Sequence, residues 1–298
     1  MLAALSMPIP LWILPALFGA LANALYFFGV KRLVRDVDPF LLGAVTYTAG
    51  GVLLLLVSWA AGLPAIAPDF PWAVAGTVAL NIVATVLYYR ALAVADLSLC
   101  IPMLAFTPVF LIAIAYVILG EVPGPAGAAG ILLVAGGAYL MHWDEDWATP
   151  LAPFAMIVSN PGVMAMAGVA LLFAVSSSID KVVVLTSDPL FGSGMVFLLL
   201  GVAFSVLSLA RSPHAIRPAG PFPAAALLAV SVVLAIEAFS INLAYTLAIV
   251  PYVISVKRLS IVISVVFGIL LLGEGDALRR IAGSACMLAG AVVIALLG

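Results

Sequence analysis

Charged residues are scarce in this sequence: only 8% of its 298 residues are Asp, Glu, Lys or Arg, while 66% are hydrophobic. A soluble domain of average composition carries roughly 25% charged residues. The 11 basic and 13 acidic side chains cannot cover the surface of a soluble fold of this length, whereas lipid favours an apolar exterior. The shortage of charge therefore excludes a soluble protein and predicts an integral membrane protein.

Signals of several other protein classes are also missing. The basic residues are scattered, so no basic patch indicates a nucleic-acid partner. The two cysteines, Cys100 and Cys286, lie in apolar segments, where a buried thiol is expected rather than a disulfide. The two histidines, His142 and His214, lie in loops, and no phosphate-binding loop or metal-ligand spacing occurs. We therefore expect no enzymatic activity, no cofactor and no metal.

Long apolar runs between charges, prolines and polar clusters predict ten membrane-spanning helices. A helix needs about 20 residues to cross a hydrocarbon core of ~30 Å, and barrel strands would instead show alternating segments of about 10 residues. The first run has no basic leader and no cleavage site, so we expect it to be retained as a span. The predicted spans are 9–30, 39–61, 71–93, 97–119, 125–142, 161–181, 190–210, 223–247, 250–272 and 277–297.

The two halves of the sequence repeat one another. Asp-Pro pairs at 38–39 and 188–189 are separated by 150 residues, and Gly-Glu pairs at 120–121 and 273–274 by 153. Five spans per copy make the second copy enter the membrane from the opposite side, and inverted repeats of this kind are typical of secondary transporters. The sequence therefore predicts an all-α membrane protein built as two inverted five-helix repeats. The predicted units are residues 1–148 and 149–298.

Lys and Arg are distributed unequally between the two predicted membrane sides. The loops on one side carry eight of them, and the side of the termini carries Lys181 alone. Because basic residues accumulate in cytoplasmic loops, this count predicts that both termini lie outside. The eight residues are Lys31, Arg32, Arg35, Arg90, Arg211, Arg217, Arg279 and Arg280.

Three ionisable residues lie within predicted spans: Glu237 in the eighth, and Lys257 and Arg258 in the ninth. A charge in hydrocarbon costs at least ~2.5–3.5 kcal/mol and normally faces a protein interior or a wet cavity. Adjacent residues point about 100° apart on a helix. One basic residue can therefore face a solute while the other, with Arg258 as our candidate, pairs with Glu237. The alternative is that both basic heads snorkel to the interface.

Polar residues at helical spacing add candidates for a binding site. Lys257 is followed by small polar residues at +3 and +7, which lie on one helical face. A polar stripe in the third span could hydrogen-bond a polar solute or stack on an aromatic one, and contacts between helices fit that stripe equally well. The candidates are Ser260 and Ser264 in span nine; Asn81, Thr85, Tyr88 and Tyr89 in span three; Asn23 and Tyr26 in span one; and, more weakly, Ser176, Ser177, Ser178 and Asp180 in span six.

Other polar and small residues receive structural interpretations. We expect Asp180 and Lys181 to form an interfacial ion pair, and Glu121 and Glu274 to be exposed carboxylates after tight turns. Spans five and ten are dense in Gly and Ala, so we expect them to pack against other helices without solute contact.

Two copies of five spans, each with "LGE" closing its fourth span before a Gly/Ala-rich fifth, resemble the EamA-type branch of the drug/metabolite transporter superfamily. The likeness is carried by "YYRALAVADLSLCIPMLAFTPVFLIAIAYVILGE" and "INLAYTLAIVPYVISVKRLSIVISVVFGILLLGE". The resemblance extends over essentially the whole chain. It implies a proton-coupled or facilitative exporter of amino acids or other small metabolites, with a central cavity. It also implies cytoplasmic termini, against the charge count.

The Lys257-Arg258 pair is also similar to the basic pair with which the sugar-phosphate translocators of this superfamily hold phosphate. Those translocators carry a further lysine one turn before the proline that corresponds to Pro108, where this chain has Leu104. A monoanion, or the carboxylate of a zwitterion, is therefore easier to accommodate than a doubly charged phosphate ester.

Together, these patterns predict a secondary transporter that exports a small polar metabolite, such as an amino acid or organic anion, by alternating access. Its partners would be that solute, protons as a candidate coupling ion, and the lipid of a bacterial plasma (inner) membrane. One alternative is a multidrug exporter in which Glu237 and the tyrosines bind lipophilic cations. Two others are a sugar-phosphate-type anion exchanger and a non-transporting scaffold, which would lack an ordered polar cavity.

Overall fold

The computed structural model describes residues 10–34, 37–94, 103–141, 159–211, 224–272 and 277–298. These residues form helices and turns, with no strand among them. In chain order the helices are α1 (Ile13–Leu33), α2 (Pro39–Ala61), α3 (Phe70–Val94), α4 (Thr107–Leu119), α5 (Pro125–Met141), α6 (Pro161–Leu185), α7 (Pro189–Arg211), α8 (Ala224–Leu247), α9 (Val250–Lys257), α10 (Ser260–Leu272) and α11 (Ala277–Leu297).

Eight segments of the described residues are long and apolar enough to cross a membrane. Helices α1, α2, α6 and α8 qualify over their whole lengths, and α3, α7 and α11 over most of theirs. The eighth segment is Val250–Phe267, which joins α9 to part of α10. Helices α4 and α5 are apolar but shorter, with 13 and 17 residues. The chain is therefore a multi-pass integral membrane protein. Ten spans stay a prediction, since part of the predicted fourth span, 97–119, lies outside the described residues.

The repeated Asp-Pro pairs begin two helices. The Asp38 side chain accepts hydrogen bonds from the backbone N–H of Phe40 and Leu41, at 2.9 and 3.1 Å, at the start of α2. The Asp188 side chain accepts one from the Phe191 N–H at 2.7 Å, at the start of α7. A carboxylate is a favourable N-cap, and proline suits the first helical turn because its missing N–H needs no partner there. The repeated motif is therefore a helix-start signal.

The principal helix pairs each join the first half of the chain to the second. Helix α1 packs against α8, α3 against α6, α2 against α7, and α5 against α11. If each helix is exchanged for the one at the same place in the other half, the α1–α8 pair becomes the α6–α3 pair. The other two pairs map onto themselves. The packing pattern thus has a two-fold character.

Close approach of backbones at the α5–α11 interface depends on glycine. A Cβ on Gly130 would lie 2.8 Å from the Gly290 carbonyl oxygen, and one on Gly137 would lie 2.6 Å from that of Gly283. Gly130 and Gly283 are 153 residues apart in the sequence, and so are Gly137 and Gly290. If each glycine is replaced by its equivalent in the other half, the Gly130–Gly290 contact becomes the Gly283–Gly137 contact. As predicted from their composition, these helices pack closely together.

The α2–α7 interface shows the same reciprocity at a spacing of 150 residues. A Cβ on Gly51 would lie 2.7 Å from the Leu198 backbone nitrogen, and a Cβ on Gly201 would lie 2.7 Å from that of Thr48. Gly51 and Gly201 are 150 residues apart, as are Thr48 and Leu198. Equivalent residues of the two halves thus make equivalent contacts.

The predicted ninth span, 250–272, is interrupted immediately after Lys257. Helix α9 ends there and α10 begins at Ser260. The Leu259 N–H donates to the Val256 carbonyl at 2.9 Å, three residues back, so the turn is tightened relative to an α-helix. Such a turn shifts the angular position of the residues after it. Ser260 is buried and Ser264 is exposed, and both lie after the turn. A single polar face that they share with Lys257 stays a prediction.

Candidate solute-binding cavity

A cavity of about 180 Å³ lies between α2, α3, α6, α7, α8 and α9, which come from both halves of the chain. A water molecule occupies roughly 30 Å³ in the liquid, so the space suits several waters or one small solute. Nine of its 18 lining residues are polar or charged: Tyr47, Asn81, Ser177, Asp180, Ser193, Glu237, Asn242, Tyr245 and Lys257. The cavity is thus far more polar than the sequence as a whole.

An ion pair between α8 and the end of α9 forms one wall of this cavity. The Lys257 Nζ lies 2.5 Å from the Glu237 Oε1, and the two side chains are 29% and 7% exposed. Both side chains face the protein interior, so the snorkelling alternative does not hold for Lys257. Our candidate partner for Glu237 was Arg258, and that expectation is wrong, because Lys257 is the residue whose side chain reaches α8.

Arg258 is not among the residues that line the cavity. It is half-buried, and its Nε atom is inaccessible, with no hydrogen-bond partner in the described part of the chain. The neighbouring basic residues therefore have different surroundings, as the angle of about 100° between adjacent helical side chains requires.

A chain of hydrogen bonds between α3 and α6 ends at Asp180. The Thr77 hydroxyl donates to the Asp180 Oδ1 at 2.5 Å and lies 2.8 Å from the Ser176 hydroxyl. The Asn81 amide donates to the Ser176 Oγ at 2.7 Å and to the Thr77 carbonyl at 2.9 Å. Because the Thr77 hydroxyl has one proton and gives it to Asp180, Ser176 donates to Thr77. The series of donors from Asn81 through Ser176 to Thr77 thus leads to the carboxylate.

The ion pair predicted between Asp180 and Lys181 does not form. The Lys181 Nζ instead bonds to the Glu121 Oε1 at 2.5 Å and to the Ala248 carbonyl at 2.8 Å. Adjacent helical residues point in different directions, so Asp180 faces the cavity while Lys181 faces α4 and α9.

Glu121 is 10% exposed, so the prediction of an exposed carboxylate is wrong for this residue. Its Oε2 accepts a hydrogen bond from the Val250 N–H at 2.7 Å, in the first turn of α9. One carboxylate thereby connects the ends of α4 and α6 with the start of α9. The equivalent Glu274 lies outside the described residues.

Helices α7 and α8 contribute a second polar contact to the cavity. The Asn242 amide donates to the Ser193 Oγ at 2.6 Å, and Ser193 donates to the Pro189 carbonyl at 2.6 Å. Together with Tyr47 and Tyr245, these residues are cavity-lining groups that the sequence reasoning missed. Tyr245 follows Glu237 by eight residues, about two helical turns, so a search of that face would have found it. Tyr47 lies between Thr46 and Thr48, and Ser193 has only glycine and apolar neighbours, so neither residue gives a periodic polar signal.

Of the eleven residues predicted to bind solute, the cavity lining includes Asn81, Glu237 and Lys257. Tyr88 and Tyr89 contact one another edge-on, with ring centroids 5.8 Å apart, and pack against two different apolar clusters. The others are also absent from the lining: Asn23, Tyr26, Thr85, Arg258, Ser260 and Ser264. Tyr26 packs against an apolar cluster of α1, α2 and α8. A binding role for these residues stays a prediction.

Among the described residues, no group of three or more His, Cys, Asp or Glu side chains is placed to hold a metal ion. The cavity's polar groups are amide, hydroxyl, carboxylate and ammonium groups. They can exchange hydrogen bonds and ion pairs with a solute, and their geometry offers no nucleophile held by a base.

Comparisons with known proteins identify solved structures with a similar fold and a family with a similar sequence. One solved crystal structure, described only as that of a protein, superposes with a TM-score of 0.79 and 18% sequence identity, covering 97% of each chain. That likeness shows a shared fold. In all, 29 chains of solved structures match, whereas no curated protein matches. Residues 10–143 match the EamA-like transporter family. As the sequence resemblance predicted, this part of the chain is similar to the EamA-like transporter family, which is part of the drug/metabolite transporter superfamily.

Proposed function

We propose that this protein is a secondary transporter that exports a small polar metabolite by alternating access. The observation that carries this proposal is the cavity between the two halves, which holds the Lys257–Glu237 ion pair. Charged groups inside a membrane are tolerated where they face a protein interior or water, and such sites line solute paths. We place the protein in a bacterial plasma (inner) membrane.

Alternating access would follow from an arrangement of two inverted five-helix repeats with ten spans. The reciprocal contacts of Gly130 with Gly290 and of Gly137 with Gly283 support this arrangement. Each half would then present equivalent surfaces to the other, and rocking one bundle against the other would open the central site to one side at a time.

Lys257 is the residue that we assign to the anionic group of the solute. It pairs with Glu237, so a carboxylate-bearing solute would compete with Glu237 for the same ammonium group. Glu237, once released, is our candidate for proton exchange. The interruption of the helix after Lys257 places this group beside backbone that is not part of a regular helix, as in other transporters with broken spans.

The alternatives are less well supported. A lipophilic-cation exporter would need a larger site, because a cavity of about 180 Å³ is small beside drug sites of roughly 300–1,000 Å³. Glu237, the carboxylate considered for such cations, is also paired with Lys257. A sugar-phosphate exchanger would need an excess of positive charge, whereas two carboxylates and one lysine line this cavity. A non-transporting scaffold offers no reason for a polar cavity.

The experiment is solute counterflow in liposomes with purified protein and a panel of amino acids, organic acids and sugar phosphates. We expect at least one small metabolite to be accumulated, and Lys257→Ala and Glu237→Gln to reduce its initial rate about tenfold or more, as for loss of a charge-assisted contact. Asp69→Asn, which removes a charge at an exposed position outside the cavity, is the control. Wild-type rates in both charge variants would refute the assignment of these residues.

A further inference from the structure

We propose that Asp180 binds an ammonium group of the solute, so that the transported metabolite is an amine or amino acid. This inference rests on the proposed function and narrows its solute class. Asp180 lies on α6, lines the cavity and belongs to none of the ion pairs among the described residues.

Two lysines lie near Asp180, Lys181 beside it in the sequence and Lys257 in the same cavity, and both already form ion pairs with other carboxylates. Lys181 is held by Glu121 and by the Ala248 carbonyl, and Lys257 is held by Glu237. In the part of the protein that the structure describes, no cationic group therefore lies within ion-pair distance of the Asp180 carboxylate, and Lys257 acts on it only from a longer distance. A buried carboxylate normally has a cationic partner, because an unpaired charge in a low-dielectric interior is costly.

The hydrogen bonds around Asp180 favour its charged form. Thr77 donates to its Oδ1, and the chain of donors that runs from Asn81 through Ser176 to Thr77 points towards the carboxylate. Hydrogen bonds donated to a carboxylate stabilise the anion. A carboxylate has about four acceptor positions. Among the described residues Thr77 occupies one of them, which leaves acceptor positions for a ligand. The network therefore holds Asp180 in a fixed position as an acceptor.

The formal charges of the cavity select among solutes. Asp180 and Glu237 contribute two negative charges and Lys257 one positive charge, so the described lining has a net charge of −1 when all three are ionised. An ammonium group neutralises this excess, whereas a monoanion raises it to −2. Because charges interact more strongly in a protein interior than in water, the cavity favours an ammonium group over a monoanion.

The remaining lining suits the rest of an amine or amino acid. Val196, Phe197 and Leu200 form an apolar part of the wall, which can contact the hydrocarbon portion of the solute. A solute that also carries a carboxylate can place it on Lys257, so one zwitterion would engage Asp180 and Lys257 together. This arrangement explains why the cavity holds both an ion pair and an additional carboxylate.

The test compares amines with matched compounds that lack the amine. Counterflow and thermal-shift measurements use alanine with lactate, leucine with 2-hydroxy-4-methylpentanoate, and butylamine with butyrate. We expect the wild type to bind and move the amine members, and Asp180→Asn to weaken their binding about tenfold or more. Asp180→Glu should keep part of the binding. Asp69→Asn, the same chemical change at an exposed residue, is the control.

A second variant separates ligand recognition from folding. Thr77 is fully buried, and Thr77→Val keeps its shape while removing the hydroxyl that orients Asp180. We expect this variant to weaken amine binding several-fold while the selectivity for amines persists, since the carboxylate remains. Thermal unfolding without solute checks that Asp180→Asn and Thr77→Val are folded before their binding is compared with that of the wild type.

Each other outcome overturns the inference. If the hydroxy acids move and the amines do not, or if folded Asp180→Asn binds amines as the wild type does, Asp180 is not the ammonium site while the transporter function survives. The same holds if Asp180→Asn keeps its amine affinity and loses only its response to a pH gradient, which would make Asp180 a proton carrier. If the wild type moves none of the solutes in either panel, the proposed function fails and the inference fails with it.

Discussion

Glu121 and Lys181 form an ion pair of 2.5 Å that joins the two halves of the chain, since Glu121 follows α4 and Lys181 lies in α6. The other oxygen of Glu121 accepts the Val250 N–H at the start of α9. One side chain therefore connects three helices, two of which, α6 and α9, also line the cavity.

Removing the Glu121 carboxylate should destabilise this junction. We expect Glu121→Gln to lower the free energy of unfolding by about 3 kcal/mol, because breaking a buried ion pair leaves Lys181 without its partner. Thermal unfolding of the purified protein in detergent measures the loss. The double variant Glu121→Gln/Lys181→Gln is the control: it should recover part of that stability, and strictly additive losses would contradict the importance of the pair.

The Lys257–Glu237 pair should have separable contributions to stability and transport. We expect Lys257→Glu to lower the unfolding temperature, because it places three carboxylates in one cavity. The exchanged double variant Lys257→Glu/Glu237→Lys restores an ion pair and should recover much of the stability, but not the transport rate, since the charges that meet the solute are reversed. Unfolding and counterflow measured on the same preparations check this, and full transport by the double variant would contradict the assigned orientation.

Adjacent glycines in α5 give a matched test of helix packing. A Cβ on Gly137 would lie 2.6 Å from the Gly283 carbonyl oxygen, whereas a Cβ on Gly136 would meet nothing within 4 Å. We expect Gly137→Ala to cost about 1–3 kcal/mol by overpacking. Gly136→Ala should be neutral or stabilising by about 0.5–1 kcal/mol, because alanine loses less backbone entropy in a helix. Equal unfolding temperatures for the two variants would contradict the close approach of α5 and α11.

Loss of the N-cap of α7 should be measurable and reversible by a conservative change. We expect Asp188→Ala to cost about 1 kcal/mol, because the Phe191 N–H loses its acceptor at 2.7 Å. Asp188→Asn keeps a side-chain oxygen in the same place and should be near wild type. Unfolding temperatures of both variants check the assignment, and a loss of the same size in Asp188→Asn would show that charge, rather than capping, is what matters there.

The membrane spans can be predicted from the sequence, because the free energy of transferring apolar side chains into lipid adds up along one contiguous segment. Helix α2 has the predicted bounds of 39–61, and the Asp38-Pro39 pair marks its start through hydrogen bonds to residues two and three positions later. Such features depend on neighbours within a few residues, so the linear pattern contains the information.

The partners of buried charges could not be read from the same pattern. The sequence predicts that Glu237 pairs with Arg258, but its partner is Lys257. It also predicts an ion pair between Asp180 and Lys181, but the partner of Lys181 is Glu121. Helical periodicity gives the direction of a side chain on its own helix and does not identify the residue on the facing helix. The sequence also gives no sign of the helix break after Lys257, because residues 258 and 259 are Arg and Leu, and neither a proline nor a glycine marks the position.

The sequence by itself determined a membrane protein of apolar helices with internal repetition, because both properties are set by residue types at fixed spacings. Only the tertiary structure decided which polar groups meet in the cavity: Glu121 and Val250, for example, are 129 residues apart and become bonded through helix packing. Ion pairs and hydrogen bonds act over a few ångströms, so their partners are selected by how distant helices come together.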